Sequence, residues 1–436
     1  MDGMKKDWNI VVVGAGIFGL TTALELALQG YRNITVLDRH VPPVPDGSSV
    51  DISRVIRFDY ADDLYLKVAL EAYEKWSKSP KYKDIFVPAP VVLTSDRNSL
   101  GRTYIENATN ALDRANLPWE RLPSADATRS LYPTLSGPLA GPEFMGYHNQ
   151  QAGWADALKA VVSLRDECVL RGVSFLSGRA GTVVKFDRDT SGTIRAAKTL
   201  AGTEVLGDLF ILSAGAWAAS LVPMYNSTLS TGQVLAYLRL SPEEMKKYEQ
   251  MPIYVNFGTG WFNFPPHKDT SLLKMAVHGW GYERSPSESE REILKSDVST
   301  PPFAVTGGRK NYIPLDGERR LRDGLKELLP ELAERPFERV AVCWYTDTPT
   351  GDFIMDYHPD YRNLFIAGGG SGHAFKFLPV LGKYTTLALH KALEPELSKK
   401  WRFRTEYKET ADAFAGDGSR GGPERRQFLA NERAKL

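Results

Sequence analysis

Asn9-Ile-Val-Val-Val-Gly14-Ala-Gly16-Ile-Phe-Gly19 is the stretch that decides the fold of this chain. A β-branched run predicts a strand over residues 9–13, and Leu20, Leu24, Ala27 and Leu28 follow at helical spacing until Gly30. Ile34 to Leu37 reads as a second strand, closed by Asp38 and Arg39. In such a strand–helix–strand unit each glycine has a physical task. Gly14 permits the tight turn, Gly16 lets backbone approach a pyrophosphate, and Gly19 lets the helix pack on the strand. Ile17 and Phe18 fall in the first helical turn, whose free N–H groups and positive dipole end favour phosphate. Asp38 stands where a carboxylate accepts hydrogen bonds from a ribose. A Gly-rich turn without a ligand would leave Asp38 unexplained.

Working outward, three further segments have the same character. Asp62 to Trp76 is periodic as an amphipathic helix. A helix over 157–170 and a strand over 173–176 lead to the strand Leu209 to Leu212, which ends in Ser213-Ala214-Gly215-Ala216-Trp217. The strand Leu364 to Ala367 runs into Gly368-Gly369-Gly370-Ser371-Gly372. Residues 86–149 and 223–330 differ, with short aromatic-rich strands such as 234–240 and 253–257. This alternation predicts interleaved domains: a dinucleotide domain from 1–85, 150–222 and 331–398, a substrate domain from 86–149 and 223–330, and a solvated C-terminal tail over 399–436. A dinucleotide unit at the N-terminus with a second Gly-rich strand end near the C-terminus favours FAD over NAD, because the flavin end needs its own distant contacts.

Composition excludes several classes. With 436 residues, 42% apolar and 25% charged, the chain has an ordinary globular composition. A formal charge of +1 offers no electrostatic case for nucleic acid or anionic membrane. Seven scattered histidines and two cysteines predict no metal site. No run of about 18 apolar residues predicts a membrane span. Ala434-Lys435-Leu436 matches the small–basic–Leu pattern of a peroxisomal address and implies an import receptor as partner.

Six motifs occur in order: Gly-x-Gly-x-x-Gly, Ser53-Arg54-Val55-Ile56-Arg57, Leu273-Lys274-Met275-Ala276-Val277-His278, Cys343-Trp344-Tyr345-Thr346-Asp347-Thr348-Pro349, Asp352-Phe353-Ile354-Met355-Asp356-Tyr357-His358-Pro359 and Ser371-Gly372-His373-Ala374-Phe375-Lys376. Together they resemble the monomeric sarcosine oxidase family, which includes pipecolate, saccharopine and fructosyl amino acid oxidases. The resemblance spans roughly residues 8–395. It implies an α/β fold: an FAD-binding Rossmann-like domain of the glutathione-reductase type, interleaved with an α+β substrate domain on a mixed, largely antiparallel sheet, as in D-amino-acid oxidase.

The resemblance also implies roles. Cys343, by itself an ordinary buried thiol, would carry FAD through an 8α thioether. Lys274, between Leu273 and Met275 where an unpaired lysine is costly, would sit under flavin N5 and promote reaction with O2. Arg57 and Lys376 would grip the substrate carboxylate. Arg54, Tyr60, His278 and His373 would line the flavin pocket. Further cofactor contacts would fall on Arg39, Ser48, Val183, Ala214, Gly215, Trp217, Gly369, Gly370, Ser371 and Gly372, with Lys376 bordering the cofactor as well.

Within the family, Arg57 and His278 are of the sarcosine and pipecolate type, and Asp59-Tyr60-Ala61-Asp62 resembles the fungal saccharopine and pipecolate oxidases. The expected substrate is therefore a secondary-amine amino acid, with a fructosyl amino acid as the alternative. The implied reaction delivers two electrons from the α C–H to the flavin, releases an imine that hydrolyses, and returns the electrons to O2 as H2O2. Peroxide formation fits a peroxisomal enzyme, expected as a monomer. A dehydrogenase with another acceptor, a biosynthetic tailoring amine oxidase and a flavin-binding sensor are the competing classes; Lys274 argues for O2, and Arg57 with Lys376 argues for catalysis.

Overall fold

In the computed structural model, which describes residues 4–96, 101–141, 143–294, 297–303, 308–407 and 414–436, the strand Asn9–Val13 lies at the centre of a parallel sheet. Asn33–Leu37 pairs on one side of it and Leu209–Leu212 on the other. Ser174–Leu176 extends the first edge in parallel, and Leu364–Gly368 extends the second. Ile354–Tyr357 closes that edge antiparallel. A parallel sheet must be covered on both faces. Here the helices Ile17–Leu28, Ala157–Leu170 and Leu378–Leu389 cover one face, burying Ile10, Val12, Leu20 and Leu381. A three-stranded antiparallel sheet, Val183–Arg188, Ile194–Thr199 and Glu204–Leu206, covers the other through Val11, Val13, Phe186 and Phe210.

The second sheet has ten strands among the described residues and is mixed, mostly antiparallel. Its spine is Leu229–Arg239, paired antiparallel with Leu272–Val277 and with Arg339–Asp347. Strand alternation divides its residues. Val234, Ala236, Leu273, Met275 and Val342 point toward the helix Leu315–Leu328 and form one core. Leu235, Tyr237, Ala276, Ala341 and Cys343 point the other way. Lys274 is opposite Tyr237 in the register and Cys343 is opposite Gln233, so Lys274 and Cys343 share this second face.

The α/β architecture with an interposed mixed sheet agrees with the sequence reading. Two details differ. The segment 331–398 is assigned from sequence to the nucleotide side, yet Arg339–Asp347 belongs to the second sheet, because its inward residues complete the faces that Leu229–Arg239 opens. The tail over 399–436 is not simply solvated. Trp401, Ser419, Arg420 and Phe428 are buried, and Arg426–Gln427 pairs in parallel with Tyr282–Glu283. Its Arg and Glu side chains read as solvent-facing, but Arg420 finds Asp347 and Arg426 finds Asp316 and Glu432.

Candidate active site

The Gly-rich turn is a cradle that only glycine fits. Gly14 has φ +112°, and a β-carbon there would lie 2.3 Å from the Ser213 carbonyl oxygen. A β-carbon on Gly19 would lie 1.9 Å from the Gly14 carbonyl oxygen, so the helix packs on the turn only without a side chain. The Asp38 carboxylate accepts from the Ala15 N–H at 2.8 Å, tying the second strand's end to the turn. Arg39 stacks its guanidinium 4.2 Å from the Trp217 ring centre.

One long cleft starts at this cradle and ends at Lys376. Its walls include Ile17, Phe18, Val183, Ala214, Gly215 and Trp217 on the nucleotide side. Farther along come Ser48, Arg54, Lys274, Cys343 and Gly369, then Gly370, Gly372 and His373. Gly19 lies behind the wall, and so does Ser371, whose hydroxyl is within 3.3 Å of the Thr348 hydroxyl. Ser48 donates to the Trp344 carbonyl and fixes its loop to the strand that carries Cys343.

Where the second sheet meets the cleft, charges are concentrated. The Lys274 ammonium lies 2.9 Å from the Asp51 carboxylate and donates to the Ser53 carbonyl at 2.7 Å. Arg54 reaches the same carboxylate oxygen at 2.7 Å, and the Tyr237 hydroxyl donates to the other at 2.7 Å. Arg309 stands 4.0 Å from Asp51 and donates toward the Cys343 sulfur at 3.6 Å. Burial would raise the Asp51 carboxyl, but Lys274 and Arg54 hold it well below the usual carboxylate range. Burial brings Lys274 down to about 7, against the pull of Asp51.

Beyond the cleft's far end, Arg57 and Lys376 converge on Tyr60. The Lys376 ammonium donates to the Tyr60 hydroxyl at 2.9 Å and to the His373 carbonyl at 3.1 Å. The Arg57 guanidinium lies 5.4 Å from the Tyr60 ring centre, donates to the Asp59 carbonyl and meets the Tyr104 hydroxyl at 3.3 Å. Neither cation forms an ion pair with a carboxylate among the described residues, although both are buried. Burial, and then Arg57, push Lys376 well below its ordinary value. His373 is pushed down to about 3 by burial and by Lys376, so it is neutral near pH 7. In the tautomer this network favours, its Nε2 donates to the Gly351 carbonyl and its Nδ1 accepts from Tyr60, both at 2.8 Å. His278 lies on the same side, between the Tyr345 hydroxyl at 3.4 Å and the Ser419 hydroxyl at 3.0 Å. Arg57, Tyr60 and His278 therefore lie past the nucleotide cleft rather than in its wall.

The family model of the FAD dependent oxidoreductase DAO matches residues 9–387. The chain belongs to this DAO family. An L-saccharopine oxidase of Schizosaccharomyces pombe is 31% identical over 412 residues, covering 92% of this chain and 94% of its own. The peroxisomal sarcosine oxidase of Homo sapiens is 27% identical over 395 residues, covering 88% and 92%. The crystal structure of the fructosamine oxidase Amadoriase II from Aspergillus fumigatus, in complex with FSA, superposes with a TM-score of 0.86 at 27% identity, covering 98% of this chain and 96% of that one. The resemblance read from the six motifs is thereby borne out.

The cleft of this DAO-family oxidoreductase fits a dinucleotide flavin on its own terms. Ser213 Oγ and Trp217 Nε1 are buried in the nucleotide-side wall without a hydrogen-bond partner among the described residues. Buried polar atoms are nearly always satisfied, so these two mark the place of a polar ligand. The Gly14 turn and the N-terminus of Ile17–Leu28 are the parts that would hold its phosphates, and Asp38 a ribose.

Several site residues escaped the sequence reading: Asp51, Tyr237 and Arg309 around Lys274, Tyr104 beside Arg57, and Asp417 and Ser419 beside His278 and His373. Asp59 was read only as part of the Asp59-Tyr60-Ala61-Asp62 motif, and Asp51 left a trace as an acid three residues before Arg54.

Proposed function

We propose that the protein is an oxidase of amino acids whose nitrogen is a secondary amine, N-alkyl or cyclic, with O2 as electron acceptor. The observation that carries this reading is the pair Arg57 and Lys376, two buried cations that form no direct ion pair with a carboxylate among the described residues and meet at Tyr60. Unpaired buried cations are costly, and an incoming carboxylate relieves both at once. Its arrival raises Lys376 again and fixes the amino acid by its head. Tyr60 passes a hydrogen-bond chain from Lys376 to His373, which stays neutral and keeps Lys376 in place. The flavin, when bound, supplies the two-electron oxidation of the C–N bond and the return of the electrons to O2. Lys274, as the ammonium held by Asp51, contributes a positive charge on the sheet face it shares with Cys343, where negative charge on oxygen would be stabilised.

Attachment of the flavin through Cys343 belongs to the same proposal. Cys343 is a free, buried thiol lining the cleft, with Arg309 beside its sulfur. Acid precipitation tests it: the yellow chromophore is expected in the pellet of the wild type and in the supernatant of Cys343→Ser. A monomer, and import into peroxisomes through Ala434-Lys435-Leu436, complete the reading. Ala434 and Lys435 are exposed. Loss of peroxisomal import of a fluorescent fusion when Leu436 is removed tests the address.

Peroxide release from sarcosine, L-pipecolate, L-saccharopine and fructosyl-glycine decides the substrate class. The secondary-amine amino acids are expected to be turned over best. Best turnover of fructosyl-glycine would favour the amadoriase alternative, which the similarity to Amadoriase II supports. No O2 uptake with any of them would overturn the oxidase reading.

A further inference from the structure

The C-terminal segment 414–422 reaches the amino-acid end of the site. Gly416 donates to the Pro349 carbonyl at 2.9 Å, and a β-carbon on Gly351 would lie 3.1 Å from the Asp417 side chain. Gly351 is also the residue whose carbonyl holds His373. On the other side, Gly418 approaches Tyr104, which meets Arg57; a β-carbon there would lie 3.9 Å from the ring. Ser419 bridges inward, with its hydroxyl on both Asp417 and His278. Arg420 anchors the segment through Asp347 and the Ser371 carbonyl.

Asp417 is thus held at a turn between the His373 wall and the Arg57 wall. The hydrogen bonds to it come from the Ser419 amide and hydroxyl, both on Oδ1. No ion pair engages it among the described residues, and it is half-buried rather than closed off. Both hydrogen bonds from Ser419 favour the charged form of this carboxyl, so it is an anion at neutral pH.

Asp417 already acts on Lys376 through space, so it competes with the carboxylate of a simple amino acid unless the substrate brings a cation to meet it. The oxidised amine is not that cation, because an ammonium has no lone pair to release as its C–H bond breaks, and a facing carboxylate would keep it protonated.

We infer that Asp417 is a specificity-determining residue that pairs with a second cationic group of the substrate, so that the preferred substrate is a diamino acid: a secondary amine to be oxidised, a carboxylate for Arg57 and Lys376, and a separate ammonium for Asp417. This inference rests on the amino acid oxidase reading and narrows it.

Nα-methyl-L-lysine and Nα-methyl-L-norleucine differ by that ammonium alone and serve as probes. Their affinities for the flavin-loaded protein are read by anaerobic equilibrium dialysis, and their oxidation separately as peroxide release. The wild type is expected to bind the lysine compound about tenfold or more tightly, as one partly desolvated ion pair allows. In Asp417→Asn the ratio of the two affinities is expected to fall to near one, and in Asp417→Glu to recover in part. Equal affinities in the wild type, or a ratio that survives Asp417→Asn, would overturn the inference. A variant that unfolds loses both ligands together, and the wild-type ratio then decides by itself. Discriminated binding without peroxide would instead count against the oxidase reading and leave Asp417 as a cation site.

Discussion

Lys274 and Asp51 form a buried ion pair of 2.9 Å on the sheet face that also carries Cys343. The lysine comes from the strand Leu272–Val277 and the carboxylate from the loop before Arg54, so the pair joins the second sheet to the nucleotide side. The carboxylate keeps a cation in a place where burial alone would discharge it.

The oxygen half-reaction should depend on that charge. In Lys274→Met, stopped-flow measurement is expected to show flavin reduction by substrate little changed and reoxidation slowed by about a hundredfold or more, the usual scale for removing one preorganised group at a developing anion. Because burial brings Lys274 down to about 7, wild-type reoxidation should fall as pH rises through that value and the ammonium loses its proton. Lys274→Arg keeps its charge at every accessible pH, so the fall should vanish there. Equal losses in both half-reactions would sink this assignment.

Asp51 should matter to stability as much as to chemistry. Removing it leaves the buried Lys274 and the half-buried Arg54 and Arg309 without their shared anion. Asp51→Asn is expected to cost about 3–5 kcal/mol in urea denaturation at pH 7. The sign with pH follows from its depressed folded value. The wild-type contribution is complete above the unfolded pKa of about 4 and is lost as pH falls through the folded one. The two proteins should therefore converge in stability on acidification. A cost below about 1 kcal/mol at pH 7 would mean that solvent screens the cluster.

How much of this was legible differs from residue to residue. Gly14, Gly19 and Asp38 were readable because their spacing is local and each has one physical task. Lys274 was readable because its apolar flanks make a lysine anomalous. That Lys274 and Cys343 share a face was not, because it depends on how Leu272–Val277 and Arg339–Asp347 register on Leu229–Arg239, and strand register between distant segments leaves no local mark. Asp51 was one acid among 53 acidic residues until the fold put three cations around it. The tail misled because Arg, Glu and Gly suggest solvent, whereas Arg420 is buried among partners far away in the sequence, Asp347 and the Gly279 and Ser371 carbonyls.

Arg57 should act mainly on binding. Charge-assisted hydrogen bonds to a carboxylate are worth about 1.5–3 kcal/mol, or roughly tenfold to a hundredfold in affinity. Arg57→Met is expected to raise KM for an amino acid substrate by that factor in steady-state peroxide assays, with Arg57→Lys in between, since lysine keeps the charge and loses the planar fork. A secondary amine without a carboxylate should show no such rise. A rise of the same size for both compounds would make Arg57 a structural residue rather than a carboxylate clamp.

Arg420 should hold the C-terminal segment on the site. Its guanidinium is buried against Asp347, which Thr231 also reaches at 2.5 Å, and against the Ser371 carbonyl at 3.0 Å. Arg420→Met leaves Asp347 buried with its cation gone, at an expected cost of about 3 kcal/mol. Asp347→Asn combined with Arg420→Met should recover part of that cost, because the unpaired charge goes with it, and the interaction energy read from the double-mutant cycle should exceed about 1 kcal/mol. The local consequence is separable from the global one. Limited proteolysis of Arg420→Met should cut within 414–425 at denaturant concentrations where the rest of the chain is still protected, since residues 414–425 form no strand of either sheet. Additive single variants and an unchanged cleavage pattern would show that the segment stays on the site without this pair.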